Sequence, residues 1–394
     1  MAKSAKRTLF FTRLRLANWR NFVAAEVPLQ RRAFFVGPNA SGKSNVLDAL
    51  RFLRELAVPA GGGLQAAVKD RGGILGVRSL FARRPAWVEI EVDVGDDEEP
   101  RRWTYRLRFD KDGSRDRPII LEEEILGRED GRERIVASRS IETTDDRESF
   151  TQTVVEQIAQ NKDFRELVEF FASIRYLHVV PQIVRDDRRH VRDPEDPFGG
   201  DLLRRMKDTK PSVRDARLKR ILAALTFALP NFEDLALRDD SEGRPHLEAK
   251  FRHWRPNPTK QTETAFSDGT LRLIGFLWSI AENGGPLLLE EPELSLNEEI
   301  VAQLAGMIAR VQRGTAKGRQ VLVTTHSHAL VSDPGIGLGE VHEISVGDNG
   351  SVIRVAGDDP AIRALAAAGI SVGEAAMGKV AAIDRKQLAF AFDG

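Results

Sequence analysis

An α/β fold with a mixed central sheet, an antiparallel β-meander and an inserted helical arm is what this sequence predicts. Three observations carry the prediction. Phe34 to Leu50 reads as a strand, a glycine loop and a helix, and the loop fits G-x-x-x-x-G-K-[ST] from Gly37 to Ser44. Leu287–Leu289 and Val321–Thr324 are short apolar strands separated by a helical stretch from Glu298 to Val311, a β-α-β unit suited to a parallel sheet. Trp87–Val94 and Trp103–Phe109 alternate as half-buried strands do; the acidic Gly95–Pro100 joins them, and Asp110–Gly113 leads to a further strand at Ile119–Leu126.

The elements follow in order. Thr8 to Leu16 is a strand, Asn18–Phe22 a turn, and Ala24 to Leu29 a strand that pairs back. Ala33–Val36 is the apolar run of a buried parallel strand. After the loop, Val46, Leu47, Leu50, Leu53 and Ala57 recur at helical spacing. Gly61–Gly63 and Arg71–Gly73 mark a flexible connection. Beyond the meander, Thr151–Phe171 and Leu202–Leu229 read as helical, with a strand at Ile174–Val180 and a charged, irregular segment from Ile183 to Pro197. His246–Trp254 alternates in part; the tail has a hairpin from Val341 to Val355 and Ala-rich helical pieces. The expected organisation is a head from residues 1–99 and 246–345, a meander and arm from 100–245, and a tail from 346–394. There is no internal repeat.

The 394 residues are 41% hydrophobic and 30% charged, ordinary for a globular protein with ample core material. Net charge is zero, so no global field draws the chain to nucleic acid or to an acidic membrane. The chain has no cysteine, which excludes disulfides and thiolate metal sites. Pro286–Leu289 is cut off by Glu290 and Glu291, far short of the roughly 20 apolar residues of a membrane span. The basic N-terminus leads into a stretch broken by Arg13 and Arg15, unlike a secretory signal. A cytoplasmic location is the expectation.

The loop residues Gly37, Pro38, Asn39, Ala40, Ser41, Gly42, Lys43, Ser44 and Asn45 suit a nucleoside triphosphate. Gly37 and Gly42 open turns closed to residues with a Cβ. Backbone N–H groups converge on phosphate oxygens at a helix N-terminus, whose dipole favours negative charge. Lys43 brings a point charge to the β- and γ-phosphates, and Ser44 a hydroxyl for Mg²⁺. Downstream, Gly285–Glu293 is an apolar strand ending in carboxylates, which places Glu290 and Glu291 at the ligand edge of a parallel sheet. Carboxylates also favour helix N-termini for purely structural reasons. Phe266–Thr270 leads into an apolar helix from Leu271 to Ile280, with Ser267 a good N-cap. Val321–His328 puts His326 just beyond a buried strand.

Together these segments resemble the ABC-type ATPases of the RecF/SMC/OLD-like branch, often described as AAA-like predicted ATPases. The likeness covers roughly residues 10–50 and 262–330, with the motifs in the right order. It implies an ABC-type P-loop head that binds ATP and Mg²⁺ and converts ATP and water to ADP and phosphate. Glu290 would act on Mg²⁺ through its water shell, and Glu291 would orient or deprotonate the attacking water. Glu at 290 departs from the usual Asp. Phe266–Thr270 resembles the signature motif, whose commonest form is Leu-Ser-Gly-Gly-Gln; Ser267 and Gly269 match, and Phe266, Asp268 and Thr270 depart. In that family the signature serine reaches the γ-phosphate held by the other subunit, which implies a homodimer around two ATP molecules. His326 resembles the switch histidine that senses the γ-phosphate. Ser295–Asn297 stands where the family has its D-loop, without the usual Asp. Gln182, after Val179-Val-Pro, is either a Q-loop ligand of Mg²⁺ or a surface glutamine. Arg20 matches the "N-F-R-S-F" turn and joins Ser267 and Gly269 in the implied nucleotide-binding set; Trp19 and Phe22 either lie near the base or pack the turn.

Spacing separates the relatives. The interval from Lys43 to Ser267 is much longer than in transport ATPases, and no heptad run fills it as in SMC proteins. OLD-like nucleases carry a metal-binding nuclease domain after the ATPase; the stretch after His328 is expected to be too short for one, and Asp110-Lys-Asp112 reads as a turn. A nuclease or other effector would then be a separate chain, in DNA repair or antiphage defence. Arg185–Arg192, Arg214–Arg220 and the N-terminal Lys3, Lys6, Arg7, Arg13, Arg15 and Arg20 are either DNA-binding patches or solvated faces. The rival reading from another class is a nucleotide-dependent regulatory or scaffold protein with little turnover.

Overall fold

In strands of 7 to 12 residues, the alternating segments of the N-terminal part assemble into one antiparallel sheet. In the computed structural model, which describes residues 8–58, 62–84, 86–113, 115, 117–129, 131–143, 146–186, 196–252, 259–314 and 318–379, β1 (Phe10–Trp19) and β2 (Phe22–Pro28) form a hairpin. Lys3, Lys6, Arg7, Gly61 and the basic residues from Arg188 to Arg192 lie outside the described residues. After β3 (Arg32–Val36) and three helices, α1 (Lys43–Ala57), α2 (Leu64–Lys69) and α3 (Ile74–Val77), the meander follows as β4 (Val88–Gly95), β5 (Trp103–Lys111), β6 (Pro118–Glu129) and β7 (Arg132–Ser140). The sheet order is β2-β1-β4-β5-β6-β7. The β4–β5 hairpin therefore crosses the boundary expected at 99/100, and the meander is continuous with the first hairpin.

The segment Thr151–Phe171 differs from the continuous helix its pattern predicts. It holds short 3₁₀ turns, and regular helix begins only at α4 (Arg165–Ala172). Polar side chains capture the local backbone there: Thr153 accepts from the Glu156 amide, and Asn161 donates to the Val155 carbonyl. Next come β8 (Arg175–Leu177), α5 (Pro181–Val184), α6 (Leu202–Asp208) and α7 (Pro211–Ala228). Pro211 starts α7 and divides the expected Leu202–Leu229 helix in two. A small sheet of β9 (Phe232–Asp239), β10 (Pro245–Phe251) and β11 (Thr259–Thr262) precedes α8 (Asp268–Ala281).

The mixed sheet is completed by β12 (Leu287–Glu290), α9 (Glu298–Gly314), β13 (Val321–Thr325), α10 (His328–Val331), β14 (Val341–Gly347) and β15 (Gly350–Val355), followed by α11 (Pro360–Ala367). Its order is β15-β14-β3-β13-β12-β8, with every pair parallel except the β14–β15 hairpin. This is the expected mixed central sheet, and β8 from the middle of the chain forms its edge. Every residue of β3 is buried, as a strand covered on both faces requires. Ala33 and Phe35 face a core shared with α1, α4 and the antiparallel sheet. Phe34 and Val36 face a second core built with α7, α8 and α9. Among the described residues, no helix is long and apolar enough to cross a membrane.

Candidate nucleotide site

The C-terminal edge of the parallel strands gathers the loop, the two acids and the histidine. Val36 pairs with Thr325, and Thr324 with Glu290, so β3, β13 and β12 end at the same level. That is where ligands bind in open α/β sheets. The loop leaves β3 at Gly37, where an added Cβ would lie 2.4 Å from the Ile344 carbonyl oxygen. It enters α1 through Gly42, in a left-handed conformation (φ 103°) that also brings its Cα against Asn21. Both glycines are thus demanded by close approach, as their spacing implies.

Lys43 is buried, and its Nζ donates to the Gly37 and Pro38 carbonyls at 2.9 and 3.0 Å. Burial lowers its pKa from the ordinary lysine value, opposed by the charges of Glu291, Glu293 and Glu290. The ammonium thus stands between its own loop and three carboxylates. The Ser44 hydroxyl donates to Glu290 Oε1, joining the start of α1 to the end of β12. Burial raises the Glu290 pKa, an effect the Ser44 hydrogen bond opposes and neighbouring Glu291 reinforces. A hydroxyl and a carboxylate side by side are the hard oxygen donors Mg²⁺ takes alongside phosphate and water. The residues present fit that ion.

Glu291 has a positive φ of 43°, rare for a residue with a side chain, and its amide donates to the Thr324 carbonyl at 3.0 Å. The twist sets its carboxylate 3.2 Å from Nδ1 of His326. Glu293 supports this pair from below. Its Oε1 accepts from the Thr325 hydroxyl at 2.6 Å and the His326 amide at 3.2 Å, and burial pushes its pKa up. Glu293 was visible in the sequence as the last acid of the Gly285–Glu293 run, but nothing there showed that it holds the histidine turn.

Other expected residues lie apart from this group. Ser267 is exposed and caps α8, accepting from the Thr270 amide at 3.2 Å. Gly269 packs so closely on the Ser295 carbonyl that an added Cβ would be 2.4 Å away, locking the start of α8 to the Ser295–Asn297 loop. Gln182 donates to Asp268 at 3.3 Å, beside the same helix start. Arg20 pairs with Asp48 at 3.1 Å and donates to the Gly76 carbonyl at 2.8 Å. Trp19 and Phe22 are fully buried, which settles their alternatives in favour of packing; the Trp19 indole donates to the Asn45 carbonyl at 2.9 Å and meets Phe52 edge-on.

Asn21 is a site residue that no sequence motif pointed to. Its Nδ2 donates to the Ser41 carbonyl at 2.7 Å and to the Ser351 hydroxyl, and its Oδ1 accepts from Asn45 at 2.7 Å. One amide thus pins the loop to the β1–β2 turn and to β15. Losing it leaves polar groups without partners, at about 1–3 kcal/mol each when buried. Asn21→Ala is expected to weaken ATP binding about tenfold while the chain stays folded; a titration with a fluorescent ATP analogue, beside a melting curve, checks this.

A glycine loop at the C-terminal edge of a parallel sheet, with a buried lysine, a hydroxyl and paired acids, defines a P-loop NTPase. The family model described as "AAA domain, putative AbiEii toxin, Type IV TA system" matches residues 32–332, and the chain belongs to that family. Its fold is related to SMC and ABC ATPase heads. A crystal structure of an SMC head bound to the C-winged helix domain of ScpA is 15% identical, with a TM-score of 0.50, and the match covers 88% of this chain and 97% of that one. An SMC head domain with an extended coiled coil, bound to the C-terminal domain of ScpA derived from Pyrococcus furiosus, is 12% identical with a TM-score of 0.50, covering 92% and 100%. No curated protein has a matching sequence.

Proposed function

We propose that the chain is an ATP-hydrolysing, ABC-type ATPase of the RecF/SMC/OLD-like branch that closes as a homodimer around two ATP molecules. The observation that carries this reading is the convergence of Lys43, Ser44, Glu290, Glu291 and His326 on one sheet edge, while the exposed Ser267 stands on a separate helix start. Residues Gly37–Asn45 hold the triphosphate, and Lys43 turns from its loop carbonyls to the β- and γ-phosphates. Ser44 and Glu290 would hold Mg²⁺, Glu290 through the ion's water shell, and the ion would neutralise phosphate charge. Glu291 orients the attacking water and accepts its proton. His326, beside Glu291, meets the γ-phosphate. Ser267 and Gly269 of the second copy complete the site. ATP favours the closed pair by binding it more tightly than the open chains, and hydrolysis removes that bridge.

The activity would serve a DNA-related process, repair or antiphage defence, through a separate effector chain. SMC heads of this fold are seen bound to ScpA domains, which supports a partner-binding head. Ser267→Arg tests the dimer. It is expected to abolish ATP-dependent doubling of the mass in light scattering while ATP still binds each chain. An unchanged doubling would refute the trans-acting role.

A further inference from the structure

Arg185, which caps α5, reaches the loop that opens α8. Its Nη2 donates to the Phe266 carbonyl at 2.7 Å and to Asp268 Oδ1 at 2.6 Å. One guanidinium thus grips the residues on both sides of Ser267. Gln182, from the same short helix, donates to the other Asp268 oxygen at 3.3 Å. Both carboxylate oxygens are therefore held by α5.

An acid at this place needs such a grip. The start of a helix attracts anions through its free N–H groups and dipole, and an ionised side chain in the first turn answers that attraction internally. Asp268 would also repel an incoming phosphate. Protonation does not relieve the repulsion, because the Arg185 hydrogen bond holds the Asp268 pKa below the usual carboxylate range. Pairing with a cation does relieve it. Arg185 is only about one quarter exposed, so the pair is less screened than a fully solvated one.

We propose that Arg185 is a positioning residue for the contact in trans: it braces the Phe266–Asp268 loop around Ser267 and cancels the Asp268 charge, so that the start of α8 accepts the triphosphate held by a second copy. This rests on the ATP-sandwich reading. Arg185→Ala, Asp268→Asn and the double variant of the full chain would be compared by sedimentation with Mg²⁺ and a non-hydrolysable ATP analogue. A fluorescent ATP analogue would report binding to the single chain.

Arg185→Ala is expected to weaken nucleotide-dependent dimerisation at least about tenfold, with single-chain binding within about twofold. Asp268→Asn alone should dimerise at least as tightly as the unaltered chain, and the double variant should regain most of the loss. A dimer that Arg185→Ala leaves intact overturns the proposal while the sandwich stands. So does a defect that Asp268→Asn fails to repair, the result a purely structural role would give. Absence of any nucleotide-dependent dimer in the unaltered chain overturns both the sandwich and the role of Arg185.

Discussion

Lys43→Ala is expected to weaken ATP binding by about 100-fold or more and to leave the fold intact. The ammonium is the one cation that α1 aims into the loop, and two charge-assisted hydrogen bonds to phosphate, at roughly 1.5 kcal/mol or more each, correspond to a loss of that size. Stability should not follow affinity. Burial already lowers the Lys43 pKa, so its charged form is disfavoured in the folded chain. The unfolded chain therefore holds that proton more firmly, and stability rises with pH as Lys43 titrates below the ordinary lysine value. Alanine removes this burden and should give an equal or higher melting temperature with a flatter alkaline rise. Tight ATP binding retained by the variant, measured by calorimetry, would sink the phosphate-loop assignment.

Glu291→Gln is expected to slow ATP hydrolysis by at least about 100-fold, the usual weight of a general base, while binding persists. Glutamine keeps the length of the side chain and an acceptor for His326, whose Nδ1 lies 3.2 Å from the carboxylate. It loses the capacity to take a proton from water. ATP should then persist in the closed state, and the dimer should accumulate in light scattering. Full turnover would move the role elsewhere, with Glu290 next because it already carries a raised pKa beside Ser44. Turnover measured with and without DNA also separates an ATPase from a regulatory scaffold.

The features legible in the sequence were those encoded locally. Phe34–Leu50 displayed its strand, loop and helix because burial on both faces, glycine geometry and a 3.6-residue period are each written in adjacent residues. The β-α-β unit from Leu287 to Thr325 was legible for the same reason. β7 was not. Its Arg132–Ser140 stretch is largely exposed, so it shows no apolar alternation, and only pairing with β6 makes it a strand. Nor was the continuity of the meander with β1, since that rests on the β1–β4 pairing across a long stretch of chain. In the site, the residue types of the loop and strand ends announced themselves. Asn21, Arg185 and Glu293 did not, because each acts through a partner set by tertiary folding: Ser41 and Ser351, Asp268, and the His326 turn.

The place of β3 has a consequence for how the protein comes into being. Its two neighbours in the sheet, β13 and β14, lie some three hundred residues downstream. During synthesis, Phe34–Val36 therefore leaves the ribosome long before either neighbour exists, with both strand edges bare. The β1–β2 hairpin and the meander have all their strand partners between β1 and the end of β7 at Ser140 and are free to pair as they emerge. The nucleotide loop is not: its supporting strand is held on both sides only after residue 347 has been made. Nascent chains should thus acquire ATP binding late and abruptly. Until then the apolar β3 segment is an unpaired strand exposed to misassociation.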